Sequence, residues 1–206
     1  MQALWINALD LQPGKRVYHL GCGVGYFTAI MAEVVGASGS VVASEVDEGL
    51  AARAHQNLAS YANVEVHAAD GAALDPGACD AIFINAGVTH PQPLWLERLN
   101  DGGRMILPLT IPMAPNLGKG VMAKIVRMNT GFSAQMTGFV AIYSCTSARD
   151  PQLEPLLTRA MTTGALFKLK SVRRDAHEPA ETCIVHSESV CISTAEPQVE
   201  REVSVA

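Results

Sequence analysis

The sequence predicts an α/β fold: a doubly wound, mostly parallel sheet of seven strands, with helices on both faces and an antiparallel hairpin at one edge. Three observations predict it. Over the first two thirds of the chain, short apolar runs alternate with segments of helical period, which is the pattern of a parallel sheet with crossover helices. The first apolar run ends in closely spaced glycines that open a helix. Further on, two strand-like runs are separated only by a turn at Gly131, which makes an antiparallel pair. At 206 residues and 49% hydrophobic content, one domain with one core is expected. We read residues 1–193 as that domain and 194–206 as a polar, frayed tail.

The elements follow in order. Leu4, Trp5, Ala8 and Leu9 repeat at helical spacing, and Pro13-Gly14 breaks the chain before a short strand over residues 16–20. A helix over 26–35 is stopped by Gly36. Residues 40–46 read as a buried strand, Asp47 as the N-cap of an alanine-rich helix to about residue 60, and 63–68 as a third strand. A fourth strand spans 80–85, a short helix 93–99, and a fifth strand 104–107 after Gly102-Gly103. The hairpin is predicted from strands at 122–128 and 139–144. Leu153, Leu156, Leu157, Ala160 and Met161 give an amphipathic helix over 151–161, with weaker strand signals at 167–173, 182–186 and 189–193.

Charge and cysteine usage exclude several function classes. A net charge of -5 leaves no broad cationic surface for a nucleic acid backbone or an anionic membrane, so neither is expected as a partner. No apolar stretch approaches the roughly 18 residues of a membrane span, and residues 1–11 lack the basic and apolar regions of a leader. Five scattered cysteines without a C-x-x-C pair suit reduced thiols, and a cytoplasmic location is expected.

Three successive strand ends carry residues suited to one ligand. Gly21-Cys22-Gly23-Val24-Gly25 lets backbone N–H groups approach a ligand with no Cβ in the way. A dinucleotide fingerprint needs its third glycine three residues after the second, and Tyr26 stands there instead. Cys22 lies inside the turn, available through its backbone or as a small buried hydrophobe. Glu45 ends the second strand, where a carboxylate can accept hydrogen bonds from two ribose hydroxyls, with Val46 beside it. Asp70-Gly71 follows the third strand, and Asp70 can accept from an adenine amino group.

These residues resemble the class I S-adenosylmethionine-dependent methyltransferases, and among them the protein-L-isoaspartate O-methyltransferase family. Leu11-x-Pro13-Gly14-x-Arg16-Val17, the glycine motif ending in Tyr26, Glu45, Asn63-Val64-x-Val66 and Ala69-Asp70-Gly71 follow that family's order. So do Asp80-Ala81-Ile82 through Asn85-Ala86-Gly87, and Gly102-Gly103-Arg104 to Pro108, so the likeness covers about residues 1–110. It implies a Rossmann-like fold, S-adenosyl-L-methionine as cofactor, and Gly21, Cys22, Gly23, Gly25, Tyr26, Glu45, Val46, Asp70, Gly71 and Asn85 around it. The family's amino-terminal segment, with its serine over the substrate carboxylate, is expected to lack a counterpart in this chain. The alanine-rich stretch after the fourth strand is replaced by Asn85-Ala86-Gly87-Val88-Thr89-His90.

Methyl transfer to a carboxylate needs alignment rather than a general base, because that acceptor is already ionised at neutral pH. The expected reaction is therefore O-methylation of a carboxylate on a protein, peptide or small molecule. Asn85 and Thr89 are the expected substrate-side residues, Thr89 as a hydroxyl donor. A hydroxyl acceptor would need a base, for which His90 is the best placed residue. A third reading is a catalytically silent S-adenosylmethionine-binding module that relies on a partner, and an uncovered apolar substrate side would suit a homodimer. His55, His177 and His186 show no metal-ligand spacing with an acid or cysteine, so no metal is expected.

Overall fold

The computed structural model describes residues 2–197. The chain opens with α1 (Gln2–Ala8), which buries Trp5 and Ile6, and enters β1 (Arg16–Leu20). Then come α2 (Tyr26–Val35), β2 (Ser40–Glu45), α3 (Glu48–Asn57), β3 (Val64–Ala68), β4 (Cys79–Ile84) and α4 (Pro93–Arg98). Local chemistry sets these boundaries. Asp47 accepts the Leu50 N–H at 2.8 Å and starts α3, while Pro93 occupies the first turn of α4, where its missing N–H costs nothing.

The second half holds β5 (Leu99–Ala114), β6 (Leu117–Met128), β7 (Gly131–Tyr143) and α5 (Glu154–Thr163). A 3-10 turn (Ala165–Lys168) leads to β8 (Ser171–Arg173), β9 (Cys183–His186) and β10 (Cys191–Ser193). All ten strands form one sheet in the order β3-β2-β1-β4-β5-β6-β7-β8-β10-β9. The neighbours from β3 to β5 are parallel, and from β5 onward every pair is antiparallel.

The expected seven strands and edge hairpin are thus corrected. Among the described residues there are ten strands, and the β6–β7 hairpin is interior, extended by three short strands that place β9 at the edge. Those short strands pair at long range, as in Phe132 with Val172, which local periodicity does not report. β5 also runs well past its predicted end at Leu107. Pro108 is tolerated because its backbone faces the side where β4 has ended: its carbonyl accepts the Val88 N–H at 2.9 Å, and no bond to β6 is lost.

Alternate residues of the central strands are buried on opposite faces, the mark of a doubly wound sheet. Tyr18, Leu20, Ile82, Ile84, Met105 and Leu107 pack with Trp95 of α4 and Leu157 of α5. Val17, Ala81, Phe83 and Ile106 pack with Trp5 of α1 and Met31 of α2. The predicted tail begins later than residue 194, since the Thr194 N–H donates to the Thr182 carbonyl at 2.9 Å and the Ala195 carbonyl accepts from Ser171 Oγ at 2.7 Å. Its last part, residues 198–206, lies outside the described residues. Among the described residues no helix is long and apolar enough to cross a membrane.

Candidate functional site: a cleft at the carboxyl edge of the parallel strands

The carboxyl ends of β1, β2, β3 and β4 meet along one edge, where ligands of open α/β sheets bind. Gly21, Gly23 and Gly25 all take left-handed φ values of 74°, 57° and 90°. The N–H groups of Gly21 and Cys22 both donate to the Ser44 carbonyl, at 2.9 and 3.0 Å, which stitches the turn to the end of β2. Two of these glycines serve different ends. A Cβ on Gly25 would lie 2.7 Å from Leu58 Cδ1, whereas one on Gly23 would meet nothing within 4 Å. Gly25 therefore permits packing on α3, and Gly23 keeps the open side of the turn bare.

Glu45, only 9% exposed, is held from two directions. Its Oε2 accepts the Gly23 N–H at 2.8 Å and its Oε1 accepts the Asp47 N–H at 3.1 Å. Each carboxylate oxygen retains a further lone pair, so an oriented acceptor pair remains for a diol. Asp70 Oδ1 accepts the Ala72 N–H at 2.9 Å and the Ser147 hydroxyl at 2.5 Å. The Gly71 carbonyl is fixed by the Tyr18 hydroxyl at 2.8 Å and Trp95 Nε1 at 3.3 Å. Burial pushes the Tyr18 phenol up, so it stays a donor at neutral pH. Asn85 donates its backbone N–H to Leu20 at 2.9 Å and its Nδ2 to the Gly21 carbonyl at 3.2 Å.

These groups line one cleft of about 280 Å³. It brings together Gly21, Gly23, Glu45, Val46, Asp70, Gly71 and Asn85 of the predicted residues. Five others do not line it. The Cys22 side chain is buried with Ala43, Ala54, Leu58 and Val66, and burial together with the Glu45 charge pushes its thiol up to about 12. Gly25 packs on Leu58, and Tyr26 is 67% exposed on α2, edge-on to Phe27.

Thr89 and His90 do not line the cleft either. Thr89 is fully buried, and its Oγ1 accepts the Asp150 N–H at 3.0 Å and meets His90 Nδ1 at 2.9 Å. The other ring nitrogen of His90 lies 3.3 Å from Gln92 Nε2. Burial lowers the His90 pKa against a weaker upward pull from Asp150, so the ring is neutral at neutral pH. Thr89 thus ties the loop after β4 to the segment before α5, and His90 bonds to Thr89 and Gln92 within that loop.

Sequence reasoning missed one wall of the cleft. Residues 143–146, leaving β7, line the side opposite the glycine turn, and Ser147 reaches Asp70. The crossing is fixed by the Gly87 N–H donating to the Tyr143 carbonyl at 2.7 Å and the Cys145 N–H to the Gly87 carbonyl at 2.9 Å. Tyr143-Ser144-Cys145-Thr146-Ser147 has no periodicity or spacing that marks it; its small polar residues at the end of a strand are the only signal.

The spacing argument against a metal is corrected as well. His177, Cys183, His186 and Cys191 each offer a ligand atom within 4.8 Å of the other three, because strand pairing rather than sequence proximity assembles them. This cluster lies on β9, β10 and the loop before them, away from the cleft.

Comparison with known proteins agrees with this geometry. The family model for protein-L-isoaspartate(D-aspartate) O-methyltransferase matches residues 1–139. Protein-L-isoaspartate O-methyltransferase 1 of Archaeoglobus fulgidus is 41% identical over 114 residues, covering 53% of this chain and 52% of that protein. The Ignicoccus hospitalis protein-L-isoaspartate O-methyltransferase is 35% identical over 136 residues, covering 64% of this chain and 63% of that one. A solved protein-L-isoaspartate O-methyltransferase structure superposes with a TM-score of 0.63 at 25% identity, over 78% of this chain and 50% of that one. The chain spans about half the length of the first of these relatives. The matched stretch includes the glycine turn, Glu45, Asp70 and Asn85, and the chain belongs to the protein-L-isoaspartate(D-aspartate) O-methyltransferase family.

Proposed function

We propose that this chain binds S-adenosyl-L-methionine in the cleft and catalyses methyl transfer to a carboxylate oxygen of a protein or peptide acceptor. The observation that carries the reading is the convergence of the bare Gly23 turn, the doubly anchored Glu45 and the oriented Asp70 on one cleft. Glu45 would accept from the two ribose hydroxyls, Asp70 from the adenine amino group, and the backbone at Gly21 and Gly23 would meet the amino-acid end. The amino terminus of α2, at the same edge, adds a favourable dipole for a ligand carboxylate.

The bound cofactor supplies a methyl group on a positively charged sulfur. The chain's own task is to hold a carboxylate in line with that methyl and to keep water out, since positioning alone can supply several kcal/mol of rate. Asn85, at the end of β4 and on the cleft wall, is the residue we place beside the acceptor. No base is required for an ionised carboxylate, which agrees with a His90 whose two ring nitrogens both face side-chain partners. Tritiated-methyl transfer to an isoaspartyl peptide, run beside a panel of hydroxyl-bearing metabolites, tests the reading. Label in the peptide alone supports it; label in a hydroxyl acceptor, or binding without transfer to any acceptor, overturns the carboxylate assignment.

A further inference from the structure

The far edge of the sheet holds a second set of chemistry-bearing side chains, outside the stretch matched to the family. It starts from a chain irregularity. Cys191 pairs with His186 and Ser193 with Cys183, although His186 and Cys183 are three residues apart and their partners two. Side chains alternate along a strand, so residues three apart normally face opposite ways. The bulge between Ile192 and Ser193 takes up the extra residue and turns Cys183 onto the face that carries His186 and Cys191.

His177 arrives from the loop after β8. Its Nδ1 lies 2.8 Å from the Asp175 carbonyl oxygen, an acceptor, so Nδ1 carries a proton and Nε2 is the ring nitrogen left to face a ligand. That Nε2 is 3.7 Å from Cys183 Sγ. Asp175 is itself held by Arg173 Nε at 3.0 Å, and the Ala180 N–H donates to Cys183 Sγ at 3.3 Å. The rings of His177 and His186 meet edge to face with centroids 4.7 Å apart. His186 Nδ1 is buried and makes no hydrogen bond.

We infer that His177, Cys183, His186 and Cys191 form a closed, structural zinc site of the two-cysteine, two-histidine kind. A tetrahedral ion with Zn–S near 2.3 Å and Zn–N near 2.0 Å sets its donors roughly 3.3–3.8 Å apart, and the four atoms here are all within 4.8 Å of one another. The donor set is two sulfurs and two imidazole nitrogens with no carboxylate, which selects a borderline-soft ion over calcium or magnesium. The backbone bond on His177 is the outer support that metal-bound imidazoles use to fix their tautomer. Four protein donors leave no open position, so the ion's work is to cross-link.

A cross-link here would tie a loop to the sheet edge. β8, β9 and β10 have three, four and three residues, and they form the edge of a ten-stranded sheet. Val172, Ile184, Val185, Val190 and Ile192 of this edge pack in the core, but the loop of residues 174–182 that carries His177 is mostly exposed and has no regular structure. An ion bound by His177 in that loop and by Cys183, His186 and Cys191 of the hairpin would supply folding free energy to a loop that buries little apolar surface.

Cobalt(II) titration of the full chain, reduced and freed of metal, tests this inference. One equivalent should bind and produce the visible bands of a tetrahedral centre together with a thiolate-to-cobalt charge-transfer band, and zinc should erase both. C183S and C191S should each lower the charge-transfer band, and H177A, in a loop, should weaken binding while leaving the fold intact by circular dichroism. C145S should leave the spectrum unchanged. Mass spectrometry of the chain purified without chelator should show one zinc per chain. A wild-type chain that gives no cobalt bands, bands that persist in both C183S and H177A, or an intact mass two hydrogens low from a Cys183–Cys191 disulfide would overturn the site.

Discussion

Glu45 Oε2 accepts the backbone N–H of Gly23 at 2.8 Å, which joins the acid at the end of β2 to the middle of the glycine turn. The acid that is proposed to hold the ribose therefore also shapes the turn. Glu45→Ala removes both functions, and hydrogen bonds to a charged group contribute roughly 1.5–3 kcal/mol. We expect S-adenosylmethionine affinity to fall by about 10- to 100-fold, measured by calorimetry. An affinity within a factor of two of the parent would remove Glu45 from the site.

Gly23 and Gly25 separate stability from binding. A left-handed conformation costs an L residue roughly 1–2 kcal/mol, and Gly25→Ala adds a clash with Leu58, for a loss of about 2–4 kcal/mol in denaturant unfolding. Gly23→Ala has open space and should lose only about 1–2 kcal/mol of stability but weaken the cofactor about tenfold or more. The reverse order, with Gly23→Ala the less stable variant, would show the two roles to be misassigned.

The parallel half of the fold was legible because its central strands β1, β2 and β4 are buried on both faces and each is punctuated locally. Arg16–Leu20 runs into the glycine turn, Asp47 caps α3, and Pro93 starts α4, so each boundary is written within a few residues. The antiparallel half was less so. β5 hides Pro108 at a position whose donor is not needed, and β8 to β10 are held by partners far away in sequence. The cleft was legible from Gly21 to Asn85, whereas its second wall at residues 143–147 depends on a chain crossing that no local pattern encodes. The burial of Thr89 was hidden for a related reason: its position after a strand suggests exposure, but it bonds to Ala148 and Asp150, which are distant in sequence.

Ser147 tests that second wall. Its hydroxyl donates to Asp70, so Ser147→Ala leaves the proposed adenine acceptor less fixed. Cofactor affinity should drop about 3- to 10-fold with unfolding unchanged within error. An unaltered affinity would make residues 143–147 a bystander to binding.

His90→Ala should leave methyl transfer to a carboxylate within about threefold of the parent while lowering stability by roughly 1 kcal/mol through the lost Thr89 contact. A loss of turnover at unchanged cofactor affinity would restore His90 as a base and favour a hydroxyl acceptor.

His19 makes stability depend on pH. Its ring is fully buried, stacks on Phe83 with centroids 5.3 Å apart, and is lowered to about 3 by desolvation from an ordinary 6.5. The folded pKa lies below the unfolded one, so the unfolded chain takes up the proton first as pH falls. The stability present above pH 6.5 is lost between 6.5 and about 3, by up to about 1.4 kcal/mol per pH unit. Urea unfolding at several pH values should show that slope, and His19→Gln should flatten it. An equal slope in the variant would assign the acid sensitivity to other groups.

Calorimetric titration of the chain with S-adenosyl-L-methionine, beside NAD as a comparison, bears most directly on the cleft. The geometry of Gly23, Glu45 and Asp70 predicts saturable one-site binding of S-adenosylmethionine and no heat with NAD. Absence of S-adenosylmethionine binding by a folded chain, or preferential binding of NAD, would contradict the account.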